Sequence, residues 1–267
     1  MVDQIIALLQ PLNRASLIYA LYATIGMPTI EENRYWDSDY DWEKDGDEWS
    51  DQAAYCRKDY QDWKESIVKH FIIPYLGQDM DVLEISPGHG RWTPYLLKGK
   101  SLVLVDMNPK CIEFCRKRFF DENIRFHVND GRKLDRIDDD TIDFVWSYDS
   151  FVHMEHDVVE SYCQDFSRIL RKGGKAVIHH AGRNDMFLRL GFLKRWKTGR
   201  KAYQMISMNK LSGEDGWRSD VSKESVRRIA KRSGLIVDSQ VNSWGDGYNN
   251  RLFNDWVSIL CKKEQSI

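Results

Sequence analysis

The chain has 267 residues, enough for one large domain or for a domain with a lid. Its formal net charge of -2 and ordinary apolar and charged fractions exclude a global pull toward nucleic acid or an anionic membrane. No stretch is apolar enough for long enough to span a bilayer.

The opening MVDQIIALLQPLNRASLIYALYATIG lacks a basic leader and is interrupted by Pro11 and Arg14. It reads as an amphipathic helix or helix pair over residues 4–26, not as a signal peptide, and it offers a face for a homodimer. Residues 31–51 are acidic and aromatic. Asp41, Glu43, Asp45 and Gly46 faintly echo a calcium loop, but the twelfth position holds Gln52, so the run reads as a solvated cap. Helical periodicity returns over 52–76 and stops near Pro74 and Gly77. Residues 1–65 are therefore expected to form a helical and aromatic cap, and residues 66–267 the main domain.

An alternation of elements then begins. Strands are expected at 81–85, 101–107, 124–130, 141–149 and 174–181, with helices at 93–98, 109–119 and 156–171. Such an order implies right-handed crossovers and a parallel sheet. After a helix at 222–234, strands at 235–244 and 253–263 are joined by few residues, so that pair must be antiparallel. The expected fold is α/β: a doubly wound, mostly parallel seven-stranded sheet with an antiparallel last strand. The five cysteines, Cys56, Cys111, Cys115, Cys163 and Cys261, are odd in number and include no CxxC. Reduced thiols in a cytoplasmic protein are expected.

In an open α/β sheet, ligands bind beyond the carboxyl ends of the strands. Ser86, Pro87, Gly88, His89 and Gly90 end the first strand, where the two glycines permit positive φ and close approach of a ligand. Asp106 ends the second strand, placed to accept the hydroxyl protons of a ribose, with Met107 beside it. Asn129, Asp130 and Gly131 end the third, where an amide or carboxylate can read an adenine amino group. Together they describe an adenosine site. A dinucleotide fold wants a third small residue, but this chain has Thr93 behind the bulky Trp92, and no P-loop occurs.

The segment resembles the class I S-adenosylmethionine-dependent methyltransferases. Their first motif is an acidic residue followed by three glycines at alternate positions. This chain shows Glu84, Ser86, Gly88 and Gly90, with serine in place of the first glycine. Asp106 matches the acidic residue of the second strand, and Asn129-Asp130-Gly131 the adenine-side motif. Asp143 to Tyr148 matches the fourth strand, with Ser147 and Tyr148 at its cofactor end, and Lys172-Gly173-Gly174 the turn before the fifth. The resemblance covers about residues 65–181 and 222–263. It implies S-adenosyl-L-methionine as cofactor, with the glycine loop holding its methionine and ribose part.

Methyl transfer from a sulfonium is an in-line displacement that relies on alignment. A hydroxyl acceptor also needs a base near the ends of the fourth and fifth strands. Asp149, His153, His179 and His180 lie there. Asp149 either orients the His153 imidazole or caps the following helix, with His153 as packing. His179 and His180 point to opposite faces; His180, nearer the strand's end, is favoured for the cleft and His179 for packing or substrate contact. No standard metal signature is present, so no metal is expected.

The insertion at 182–220 is long enough to be functional. Its basic, apolar stretch 186–201 either packs on its own domain or touches a membrane. Trp217 and Arg218 are candidates to hold the acceptor, Arg218 through a carboxylate or phosphate. Tyr35 and Trp36 are candidates for cofactor contact, and Tyr40 for substrate, since a sulfonium suits an aromatic face. Trp244 is a weaker pocket candidate. The leading expectation is methylation of a small-molecule or saccharide hydroxyl, in a setting such as a natural-product, sugar or glycan cluster. A small amine or lipid headgroup is the alternative acceptor, and a catalytically silent interaction module the alternative of another class. Nucleic acid is not an expected partner: the basic excess is absent, and SYDS stands where an Asn/Asp-Pro-Pro-Tyr motif would be.

Overall fold

A computed structural model describes residues 60–182, 219, 221–246, 250–252 and 255–263. Helix α1 (Tyr60–Ile67) runs into a π-helical turn (Val68–Ile72), closed by Ile73 N–H donating to Val68 O at 2.9 Å. The wide turn lets Ile67, Val68, Phe71 and Ile72 all reach the core. There follow β1 (Asp81–Ile85), α2 (Thr93–Leu96), β2 (Ser101–Asp106), α3 (Pro109–Arg118), β3 (Ile124–Val128), β4 (Ile142–Phe151), α4 (His156–Ile169) and β5 (Leu170–Ala181). The chain ends with α5 (Lys223–Arg232), β6 (Leu235–Val241), the short pair β7 (Ser243–Trp244) and β8 (Asn250–Arg251), and β9 (Asp255–Lys262).

The main sheet has seven strands in the order β3-β2-β1-β4-β5-β9-β6. Strands β1 to β5 pair in parallel, and β9 lies antiparallel between β5 and β6. This is the doubly wound sheet expected from the alternation, with its reversal of strand order between β1 and β4. Runs such as VLEI and LVLV are buried on both faces, as crossover helices on both sides require. One apolar core lies against α4 and α5, with Phe151, Tyr162 and Phe166 at its centre. The other lies against α1, the π turn, α2 and α3, and holds Trp63, Trp92, Trp146 and Tyr148.

Several boundaries differ from expectation: the third strand ends at Val128, the strand expected at 235–244 breaks after Val241, and two further shifts concern β4 and β5. β5 starts at Leu170, directly after α4, and the Lys172-Gly173-Gly174 turn is a bulge within it. Gly173 has φ 77°, and a Cβ on Gly174 would sit 2.9 Å from Arg171 O, so backbone crowding requires glycine there. β4 extends two residues beyond Asp149, past a second irregularity that shapes the site.

Trp244 is a correction. Its ring lies in the second core, 5.1 Å from Trp63 and 4.9 Å from Phe71, and its Nε1–H donates to Ser66 Oγ at 2.9 Å. The apolar body and the polar tip are both satisfied there, which leaves no ring face for an acceptor. Replacing it, Trp244→Ala, is expected to cost about 3–5 kcal/mol of stability. Thermal denaturation should show the midpoint falling by roughly 10 °C.

Candidate active site

The carboxyl ends of β1, β2 and β4 converge. Asp106 ends β2 and is buried; its Oδ1 accepts from Asn108 N–H at 2.8 Å and its Oδ2 from Gly88 N–H at 3.3 Å. One carboxylate thus joins the glycine loop to the start of α3. Asn108 continues the chain of contacts by capping α3, accepting from Lys110 N–H at 2.9 Å, with Pro109 at the first helical position. Burial pushes the Asp106 carboxyl up to about 6, against backbone hydrogen bonds from Asn108, Gly88 and Met107 that hold it down.

Glu84 lies in the interior of β1, and its Oε2 accepts from Thr93 Oγ1 at 2.6 Å. Its Oε1 is buried without a hydrogen-bond partner. Burial raises its pKa to about 8, opposed by the Thr93 bond and reinforced by the Asp106 charge. A buried carboxylate oxygen with no partner is costly unless a ligand donor meets it.

The glycine loop is built of left-handed residues: φ is 57° at Gly88 and 86° at Gly90. Part of the space cleared at Gly90 goes to the protein itself, because a Cβ there would come within 2.4 Å of the Phe119 ring. Ser86, in the place of the family's first glycine, adopts φ 55°. That conformation is one L side chains rarely hold, so the serine keeps the glycine's backbone and bears its strain. The His89 ring stacks on Phe114 at 4.2 Å, and its carbonyl accepts from Arg118.

The adenine-side residues act on the loop more than on a base. Asn129 Nδ2 donates to Lys133 O and to Tyr162 Oη, while its Oδ1 accepts from Gly131 N–H. Asp130 Oδ1 accepts from Arg132 and Lys133 N–H. Both side chains, expected to read an amino group, hold a turn in which Gly131 has φ 75° against Met107. Ser147 Oγ donates to Ile85 O at 3.0 Å and meets Ser150, so it ties β4 to β1. Tyr148 is buried between Trp146 and His179, at 5.8 and 4.2 Å between ring centroids.

Both histidines of β5 are buried, which corrects the expected cleft position of His180 and substrate contact of His179. His180 was favoured for the cleft, but its Nδ1–H donates to Ala181 O and its Nε2 accepts from Ser258 Oγ, both at 2.6 Å. The ring is wholly buried; burial, opposed by the Ala181 bond, lowers its pKa to about 4, so it is neutral and structural. His179, on the opposite face, meets Asp149 through Nδ1 at 3.1 Å and Asp255 through Nε2 at 3.5 Å. Asp149 also pairs with Arg91 at 2.9 Å, so its carboxylate is engaged by Arg91 and His179 and does not orient His153 as expected. Burial disfavours the imidazolium of His179, but the hydrogen bonds and charges of Asp149 and Asp255 outweigh it and hold the pKa above the ordinary value.

Arg91 and Asp255 were not singled out from the sequence, and Thr93 was read only as a residue too large for a dinucleotide loop, not as the partner of Glu84. A charged residue between Gly90 and Trp92 was a signal for the first. Asp255 gave none, lying 76 residues from His179 on a strand otherwise read as apolar. Tyr35, Trp36, Tyr40, Trp217 and Arg218, with the N-terminal dimer face, lie outside the described residues. Among the described residues no cluster suited to a metal occurs, the cysteines are free thiols, and no helix is long and apolar enough to cross a membrane.

Two expectations test this geometry. Ser86→Gly should relieve the left-handed strain and raise stability by about 0.5–1 kcal/mol after the added chain entropy, read by urea denaturation. Glu84 and Asp106 bind protons more tightly folded than unfolded, so the ligand-free protein should lose stability as pH rises from the ordinary carboxylate range through about 6 and then 8. Thermal midpoints across that range should fall, and Glu84→Gln should remove the upper part of the fall.

Comparisons with known proteins agree with the geometry. Residues 82–174 match the family model described as a methyltransferase domain. A solved S-adenosylmethionine-dependent methyltransferase from Clostridium acetobutylicum is similar at a TM-score of 0.54 and 14% identity, over 80% of this chain and 96% of that one. Another from Mesorhizobium loti has a TM-score of 0.55 and 13% identity, over 74% and 98%. Magnesium protoporphyrin IX methyltransferase from Synechocystis, solved with bound SAH, has a TM-score of 0.54 and 12% identity, over 93% and 99%. No curated protein sequence matches the chain. The unpartnered Glu84 oxygen, the buried Asp106 and the left-handed glycine loop fit S-adenosylmethionine as cofactor, residues 82–174 are similar to a methyltransferase domain, and the fold is the one these methyltransferases share.

Proposed function

We propose that the protein methylates a hydroxyl group of a small molecule or saccharide, with His153 receiving the hydroxyl proton. Bound S-adenosylmethionine supplies an electrophilic methyl group. Glu84, Asp106 and the loop from Ser86 to Gly90 would hold it.

The observation that carries this reading is the double tether of the segment bearing His153. On one side, Ser147 donates to Ile85 O and Asp149 pairs with Arg91, so the segment is bound to the glycine loop. On the other, Ser219 N–H donates to Val152 O at 2.9 Å, which brings in the end of the long insertion. His153 itself is half-buried, with its N–H donating to Ser150 O at 3.0 Å. An imidazole on a segment tethered to both the glycine-loop side and Ser219 is suited to proton transfer near neutral pH. His180 and His179 suit it less, since both rings are fully buried, whereas His153 is half-buried.

A panel of saccharide and phenolic hydroxyls, set against primary and secondary amines, tests the acceptor by release of S-adenosylhomocysteine. Turnover is expected with hydroxyls. His153→Ala should then lower the rate by about 10²–10⁴-fold, with cofactor affinity unchanged by calorimetry. Turnover with amines alone, or a His153→Ala enzyme at full rate, would remove the histidine-base reading.

A further inference from the structure

We infer that His179 is a positioning residue, an imidazole clasp that shapes the end of β4 and so sets the place of the acceptor-side turn. The inference rests on the proposed role of the His153 segment for its functional meaning, but not for its geometry.

The pairing between β4 and β5 carries the argument. Ser147 pairs with Ile178 and Phe151 with His180. Between those pairs β4 has Tyr148, Asp149 and Ser150, while β5 has only His179. A three-against-one bulge bends its strand and takes residues out of the ladder. At its centre Asp149 stands at φ 70°, a left-handed conformation that must be held by its surroundings.

His179 contacts that bulge in three ways. Its ring stacks on Tyr148 at 4.2 Å and 23°. Its Nδ1 lies 3.2 Å from Asp149 N and 3.1 Å from Asp149 Oδ1. Its Nε2 faces Asp255 Oδ2 at 3.5 Å, which links the bulge to β9. The side chain of His179 is 1% exposed and that of Asp149 10%. Among the described residues, the charged groups facing the ring are Asp149 on β4, with Arg91 next to the glycine loop behind it, and Asp255 on β9; His180 adjoins on β5.

The protonation state decides which atom of Asp149 is held. A neutral ring with hydrogen on Nε2 accepts from Asp149 N–H and points its own hydrogen at Asp255. An imidazolium donates from Nδ1 to Asp149 Oδ1 and loses the backbone contact. Either form restrains the bulge, through different atoms. Phenylalanine at this position would keep the stack and lose both nitrogen contacts, whereas asparagine can return an acceptor to Asp149 N–H.

The test uses nuclear magnetic resonance on the full chain, without an acceptor. In the wild type the amide shifts of Asp149 and of Ser150 to His153 should follow the titration of the His179 ring, and the midpoint should drop in Asp255→Asn. In His179→Phe above that midpoint, exchange of the Asp149 amide should quicken by about tenfold or more, and the shifts of residues 150–153 should move. His179→Asn should restore slow exchange. Calorimetry with S-adenosylmethionine serves as the control that each variant is folded. Amides of 149–153 blind to the His179 titration, or a His179→Phe protein with wild-type exchange, would overturn the inference. Neither result depends on His153 being the base: loss of activity in His153→Ala with no effect in His179→Phe rejects the clasp alone, and the converse rejects the base alone.

Discussion

The carboxylate of Asp106 is the contact on which the rest of the site depends. Removing it from water is expensive, and two backbone N–H groups from different segments partly replace the water. One belongs to Gly88 and can reach only because the loop is left-handed there. The other belongs to Asn108, whose side chain caps α3. Cys115, on the inner face of α3, donates its Sγ–H to Gly88 O at 3.2 Å and closes the circuit. Strand, loop and helix are thus held by one buried charge and its neighbours, in the crevice where the strand order reverses.

A second buried charge system lies across that crevice. Arg91, Asp149, His179 and Asp255 come from the glycine loop, β4, β5 and β9. Burial disfavours the His179 imidazolium, but the hydrogen bonds and charges of Asp149 and Asp255 outweigh it and keep its pKa raised. Such arrays contribute little net stability after desolvation, but breaking one member is costly. Their use here is geometric: they hold Asp149 in a conformation its own backbone disfavours.

The sheet was legible because its strands are continuous apolar runs, and because the spacing of helices between them admits only parallel pairing. The glycine loop and Asp106 were legible because few residue types allow close approach to a ligand or sit at a strand's carboxyl end with a charge. Three features were not. The bulge at Tyr148 to Ser150 leaves no mark, since SYDS continues an ordinary strand. Without the bulge and the neighbouring strands, nearness to the strand's end favoured His180, while the real discriminator was which face meets Asp149. Asn129 had the chemistry to read an amino group, but its donors and acceptor are taken by Lys133, Tyr162 and Gly131, contacts that depend on a turn and a distant helix.

The central claim is that Asp106 and the left-handed loop bind S-adenosylmethionine, and calorimetric titration of the full chain tests it most directly. The wild type should bind S-adenosylmethionine saturably and ignore NAD. Asp106→Ala, shown to be folded by circular dichroism, should lose about 100-fold in affinity, as expected when a buried charged acceptor is removed. Equal affinity in the wild type and Asp106→Ala, or tight binding of NAD, would contradict the account.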